Sequence, residues 1–176
     1  MARLLPPHHP GPPHQLSTVE KGFPQLAFRG RYEHSLDAKD RLTVPARFRA
    51  ALADGVVLFA GLDPCVELYA TEDYESFHER FLSGLNPLSE RGRMMRRRFN
   101  AQAEDEKLDA AGRVRIAKHL IDHASLEGPC VVVGVADHLE IWTEKAWGEH
   151  EATVDAAAGA MAEELAGGVP APGGED

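Results

Sequence analysis

Two arginines, each four residues after an aspartate, are the side chains here whose type and spacing could do chemistry. Asp37 and Arg41 stand in LDAKDR, and Asp109 and Arg113 stand in LDAAGR. A guanidinium presents a planar fork of donors that suits phosphate oxygens and the O6 and N7 atoms of guanine. Two such groups pushed out by tight turns at the edge of a small sheet could enter neighbouring grooves of a duplex. The same spacing lets each arginine salt-bridge to its own turn aspartate and hold the hairpin. The two readings are compatible if the aspartate fixes the turn while the arginine tip reaches outward. In the first copy Arg29, Arg31, Lys39, Arg47 and Arg49 crowd the same end.

Other chemistry is thinly represented. Asp37 and Asp109 could be imagined as an acid–base pair, but duplicated acids beside turns more often cap the backbone. The sequence holds no GxSxG, P-loop, GxGxxG, HExxH or CxxC pattern, so the chain is not read as an enzyme. His119, His123 and His138, even joined with Cys65 or Cys130, lack the spacing of a zinc site; no metal and no cofactor are expected. The two cysteines read as reduced thiols in small strands and point to a cytosolic home.

Charge is unevenly distributed. The net charge is −9, yet residues 151–176 hold six acids and no bases, leaving −3 on the first 150 residues. Residues 29–49 carry six Lys or Arg against three acids, and residues 91–98 carry five arginines and no acid. Two basic clusters on an acidic chain keep nucleic acid open as a partner. The run at 91–98 fits a charge-balancing linker helix at least as well as a DNA contact. No apolar run approaches the roughly 18 residues of a membrane helix, so no membrane partner is expected.

The elements that must position the two arginines are themselves duplicated. Leu36, Asp37, Ala38, Arg41, Val44 and Phe48 match Leu108, Asp109, Ala110, Arg113, Ile116 and Leu120 at an offset of 72. Gly61, Glu67, Leu68, Tyr69 and Tyr74 match Gly134, Glu140, Ile141, Trp142 and Trp147 at 73. Two copies of one small module that pack on each other follow from this. Each copy reads as an extended run, a tight turn, a short strand, a helix, two further strands and a second helix.

In the first copy, FRGRYEHSL alternates as a strand, and Asp37–Asp40 form a turn that requires a left-handed residue at its tip. Gly112 suits that position in the second copy, and Asp40 occupies it in the first with some strain. Pro45 suits the first position of a helix that buries Phe48 and Leu52. VVLFAG and CVELYA read as strands, and Thr71 as the N-cap of a helix with Tyr74, Phe77 and Phe81 facing inward. Residues 83–90 read as a loop. SERGRMMRRRFNAQA reads as a helix with Met94, Met95 and Phe99 as apolar anchors. The second copy follows with a strand in EKLD, a turn, a strand in VRI, a helix from about Ala117, strands near 130–135 and 138–142, and a helix capped by Thr143. The resulting division is a disordered, proline- and histidine-rich extension over 1–26, a first repeat over 27–84, an Arg-rich linker helix over 85–102, a second repeat over 103–150 and an acidic Ala/Gly-rich tail over 151–176.

These residues carry a resemblance. GRYEHSLDAKDRLTVPARFR, then LDPCVELY, RRRF, LDAAGRVRI and VVVGVADHLEIW, resemble the MraZ family of bacterial transcriptional regulators from about Phe28 to His150, or 123 of 176 residues. The resemblance implies an α+β fold: a duplicated AbrB-like swapped-hairpin β-barrel with flanking helices, two pseudo-symmetric repeats in one chain. It implies a cytoplasmic, nucleoid-associated protein that forms ring-like homo-oligomers and binds double-stranded DNA at promoter direct repeats. The target would be the division and cell wall gene cluster that includes its own gene, regulated mostly by repression. The family's DNA contacts lie at the DxxxR turn and fall here on Lys39, Arg41 and Arg113, with Arg31 and Arg47 as further basic candidates. Asp40 stands where the family's first turn usually has glycine, Ala117 where a proline is usual, and Ala111 supplies no charge at the second tip. The first copy is therefore expected to be the stronger contact, and Arg41→Ala to abolish specific binding without disturbing the fold. The other function class open at this point is an antitoxin-like protein-binding module.

Overall fold

The protein is described by a computed structural model in which residues 27–167 are placed. The extension over 1–26, with His8, His9 and His14, and the last residues of the acidic tail lie outside the described residues.

The first copy comprises strands β1 (Phe28–Ser35), β2 (Arg41–Thr43), β3 (Val56–Ala60) and β4 (Val66–Ala70), then helix α1 (Thr71–Phe77) and helix α2 (Glu90–Asn100). The second comprises β5 (Ala103–Glu106), β6 (Arg113–Arg115), helix α3 (Lys118–Ala124), β7 (Pro129–Ala136), β8 (His138–Thr143) and helix α4 (Glu144–Gly167). The copies interleave. β1 pairs with β7 of the second copy, β5 pairs with β3 of the first, β4 pairs with β8, and β2 pairs with β6, all antiparallel. The result is a six-stranded sheet in the order β1-β7-β8-β4-β3-β5 beside the two-stranded β2-β6 ribbon. Each copy lends its first strand to the other, so neither can close its sheet alone.

Alternation along the strands makes two faces. The front face of the sheet gives Phe28, Leu58, Leu68, Val132, Leu139 and Ile141 to the main core, which the ribbon closes with Leu42 and Val114. Phe48 fills the middle of that core, edge-on to Phe28 at 5.1 Å and to Tyr32 at 5.5 Å. The back face carries a smaller aromatic core of Val57, Phe59, Tyr69, Tyr74, Leu82 and Phe99 under α1 and α2. β3 is buried on both faces, which is why VVLFA is an unbroken apolar run.

Several local expectations change. After β2 the chain makes a 3-10 turn over Ala46–Phe48 in place of an α-helix, with Pro45 as its N-cap. Ala70, not Thr71, is the N-cap of α1, and no side chain caps it. Phe81 faces outward because a π-helical turn over His78–Leu82 rotates the chain after α1. On α2 only Phe99 is an apolar anchor; Met94 and Met95 face solvent. Ser89 begins α2 by accepting from the Gly92 amide, and Thr143 accepts from the Ala146 amide at the start of α4. α4 runs through position 150 to Gly167, so the segment read as tail begins inside a helix.

Candidate nucleic-acid interface

The duplicated motif meets itself at the pseudo-twofold axis between the copies. In the first turn Asp37 Oδ1 accepts from the Lys39 and Arg41 amides at 2.9 and 3.1 Å, and Oδ2 accepts from Arg41 Nε at 2.9 Å. Asp109 repeats this with Ala111, Arg113 and Arg113 Nε at 2.9, 3.0 and 2.9 Å. Each arginine then spans the axis. Arg41 Nη2 lies 2.7 Å from Asp37 and its Nη1 3.5 Å from Asp109, while Arg113 Nη2 lies 2.8 Å from Asp109 and its Nη1 3.6 Å from Asp37. The backbones are exchanged as well: the Val44 amide donates to Gly112 O and the Ile116 amide to Asp40 O, both at 2.9 Å.

The hairpin-holding role is thus the one the side chains perform. Two aspartates and two arginines form a closed ring of alternating charge, with the arginine side chains 27% and 32% exposed. Their direct bonds to the arginines lower both carboxyls, Asp37 to about 2. The Arg41 guanidinium is held still more firmly charged, first by its bond to Asp37. Arg41 is thus bonded to its own turn aspartate, and Arg41→Ala is expected to loosen the turn as well as remove a donor.

Period-two alternation sets the outer face of the ribbon. Leu42 and Val114 point into the core, whereas Arg41, Thr43, Arg113 and Arg115 share the other side, with Arg41 opposite Arg115 and Thr43 opposite Arg113. Arg115 is exposed and was missed by the sequence reading, although its position two residues after Arg113 in a strand already placed it on that face. Lys39 stands exposed at the first tip. The tip backbones are left-handed as expected, with φ of 58° at Asp40 and 73° at Gly112. Gly112 has a second reason to lack a side chain, because a Cβ there would collide with the guanidinium of Arg49. Arg49 is itself fixed by donating to Val44 O at 2.9 Å.

The other candidates divide between the two faces. Arg47 leaves the 3-10 turn to donate to the Tyr32 hydroxyl at 3.1 Å and lies over the Phe48 ring, beside the ribbon. Arg31 does not join it. Tyr32 faces the front core, so its neighbour Arg31 must face the back of the sheet, where it pairs with Glu151 of α4 at 2.9 Å. The arginine run of α2 also lies on the back, and much of it is structural: Arg96 donates to the carbonyls of Ser83 and Leu85, and Arg98 to those of Ala60 and Gly61.

The histidines do not converge. His123 contacts Asp63 O, His119 approaches Glu104, and His138 stacks on Tyr69 at 4.4 Å. Among the described residues no group of three His, Cys, Asp or Glu is arranged to hold a metal ion, and no helix is long and apolar enough to cross a membrane. Cys65 and Cys130 are buried free thiols; burial pushes the first far up and the second up to about 11.

The model of a protein family described as "MraZ protein, putative antitoxin-like" matches twice, over residues 27–96 and 99–166. The chain belongs to the MraZ family. The two matches coincide with β1 through most of α2 and with β5 through α4, so the fold is the duplicated, AbrB-like swapped-hairpin arrangement of two MraZ repeats. Relatives named Transcriptional regulator MraZ include one from Limosilactobacillus fermentum, 38% identical over 74% of this chain and 89% of its own. Another from Alkaliphilus metalliredigens is 41% identical over 70% of this chain and 85% of its own. A third from Ligilactobacillus salivarius is 40% identical over 68% and 83%.

Proposed function

We propose that this chain is a sequence-specific DNA-binding transcriptional regulator. It binds direct repeats in the promoter of the division and cell wall gene cluster that includes its own gene, represses that cluster, and works as a ring-like homo-oligomer at the nucleoid. The observation that carries this reading is the outer face of the β2-β6 ribbon, where repeat-related Arg41 and Arg113 are bridged across the axis beside exposed Arg115 and Lys39. The major groove of B-DNA admits a two-stranded ribbon. Side chains already fixed by the fold lose little freedom on binding.

The charge balance assigns the parts. The Asp–Arg ring is neutral as a unit, so long-range attraction to phosphate falls to Lys39, Arg115 and Arg47. Within the ring, contacts inside each repeat are 2.7 and 2.8 Å, while those across the axis are 3.5 and 3.6 Å. The long contacts are the ones that yield when DNA arrives, freeing an Nη of each arginine while its aspartate still holds the turn. A good bidentate contact to guanine then contributes on the order of 1–3 kcal/mol of discrimination. One barrel offers few contacts, and a ring that engages several repeats gains affinity through effective concentration.

The test is fluorescence anisotropy on DNA from upstream of the protein's own gene and on a scrambled duplex of equal length, over a salt series. Tighter binding to the native sequence, with a slope of about 0.9 per neutralised phosphate, is the expected result. Equal, weak binding to both duplexes would refute the regulator and turn the search to an antitoxin-like protein partner.

A further inference from the structure

The two halves of the back face are covered differently. In the first repeat α1 lies on the sheet and α2 lies over it, with Phe99 set 5.8 Å from Phe59 and 5.9 Å from Phe77. In the second repeat α4 occupies the place of α1, and Trp147 and His150 pack on Trp142 at 5.8 and 5.0 Å. No described element covers α4 as α2 covers α1. From Ala152 to Leu165 every residue of the helix is exposed except Ala157.

This free end has a definite pattern. Val154, Ala158, Met161 and Leu165 are spaced by four, three and four residues and form one apolar stripe. Val154, Met161 and Leu165 are 39%, 48% and 74% exposed. Asp155 and Glu164 flank the stripe on either side, and no Lys or Arg follows Lys145 in the chain. α2 carries the complement. Met94 is 59% exposed between Arg91 and Arg97, three residues to either side, and the neighbouring Met95 is also exposed. Among the described residues Arg91 and Arg97 bond to no acid or carbonyl, whereas Arg93, Arg96 and Arg98 are engaged with backbone oxygens.

We propose that the projecting end of α4 docks through its Val154–Leu165 stripe onto the Met94–Met95 surface of a second copy of this chain, with Arg91 and Arg97 facing Asp155 and Glu164. Charge complementarity selects that occupant: an acidic helix face meets a basic one, while two α4 ends packed together would set acid against acid. The surfaces are different, so every copy offers one of each, and repetition of such a contact closes a ring or extends a chain of subunits. The inference rests on the oligomeric part of the proposed function and names the surfaces that would build it.

The test is disulfide trapping between two single variants, Met94→Cys and Met161→Cys, in the full-length protein, since the native cysteines are buried. When the two are mixed and oxidised, a cross-linked dimer should form on a denaturing gel, and neither variant alone should give one. A dimer from Met161→Cys alone would overturn the proposal, as would an oligomer by light scattering with no cross-link in the mixture. In that second case ring formation would stand and only this interface would fall. A monomer at all concentrations would overturn both. As a second variant, Arg91→Glu with Arg97→Glu should reduce the oligomer to smaller species with an unchanged circular dichroism spectrum; an oligomer of undiminished mass would likewise contradict the interface.

Discussion

The two repeats agree most closely at the axis they share and diverge away from it. At the axis the matched bonds of the two turns differ by about 0.1 Å, from the aspartate caps to the cross-axis arginine contacts. Away from it, a 3-10 turn in the first repeat answers the seven-residue helix α3 in the second. Phe48 answers Leu120, and the pair α1 and α2 answers the single helix α4. The reason is mechanical. Each repeat's first strand and turn must fit the other repeat, so a change at the axis disturbs two partners at once.

The largest effect that breaks this comparison is expected in the shared core. Phe48→Ala should cost about 3–5 kcal/mol and Leu120→Ala about 2–5 kcal/mol in urea denaturation. Both should unfold the chain in a single transition, because the core is built by both repeats; two separate transitions would contradict the interleaving. Next come the turn tips, where the repeats differ by one residue. Gly112→Ala should cost on the order of 1–2 kcal/mol from its left-handed backbone, and more from the displaced Arg49. Asp40→Gly should gain about 1 kcal/mol by relieving the same conformation and should tighten DNA binding by removing the acid beside Arg41.

Acid should open both turns in the same window. Asp37 is depressed to about 2 and Asp109 is also lowered, so their stabilising contributions are present above the ordinary value of 3.8 and are lost as pH falls through the depressed value. Chemical shifts of the Lys39 and Ala111 amides would report it, and loss of only one turn would contradict the symmetry. His138, behind the sheet, runs the other way. Burial lowers it, but bonds to Glu140 and Asp137 and the charge of Glu67 raise it overall. Its contribution is present below the unfolded value near 6.5 and is lost as pH rises through the raised one. The smallest effect is at the tip itself: Lys39→Ala should leave stability unchanged and reduce the salt slope of DNA binding by about one phosphate contact.

Much of this was legible in the sequence because the duplication wrote it twice. The DxxxR spacing, the left-handed tip, the buried VVLFA strand and the helix of the arginine run were all readable from local pattern. Orientation was not. Whether Arg41 and Arg113 point to solvent or to each other's aspartates depends on an exchange of strands 72 residues apart, which no local window contains. Arg31 was placed with the turn arginines by nearness in sequence, and strand alternation sends it to the opposite face. Met94, Met95 and Phe81 read as anchors by helical spacing; the π-helical turn and the exposed side of α2 turn them outward.

The most direct test of the account compares the two faces. Anisotropy on the upstream DNA would be measured for wild type, for Arg115→Ala combined with Lys39→Ala, and for Arg31→Ala. The account predicts that the front-face pair loses at least tenfold in affinity with an unchanged melting temperature, while Arg31→Ala binds as wild type. Equal loss from both faces, or loss from Arg31→Ala alone, would contradict the assignment of the β2-β6 ribbon as the reading surface.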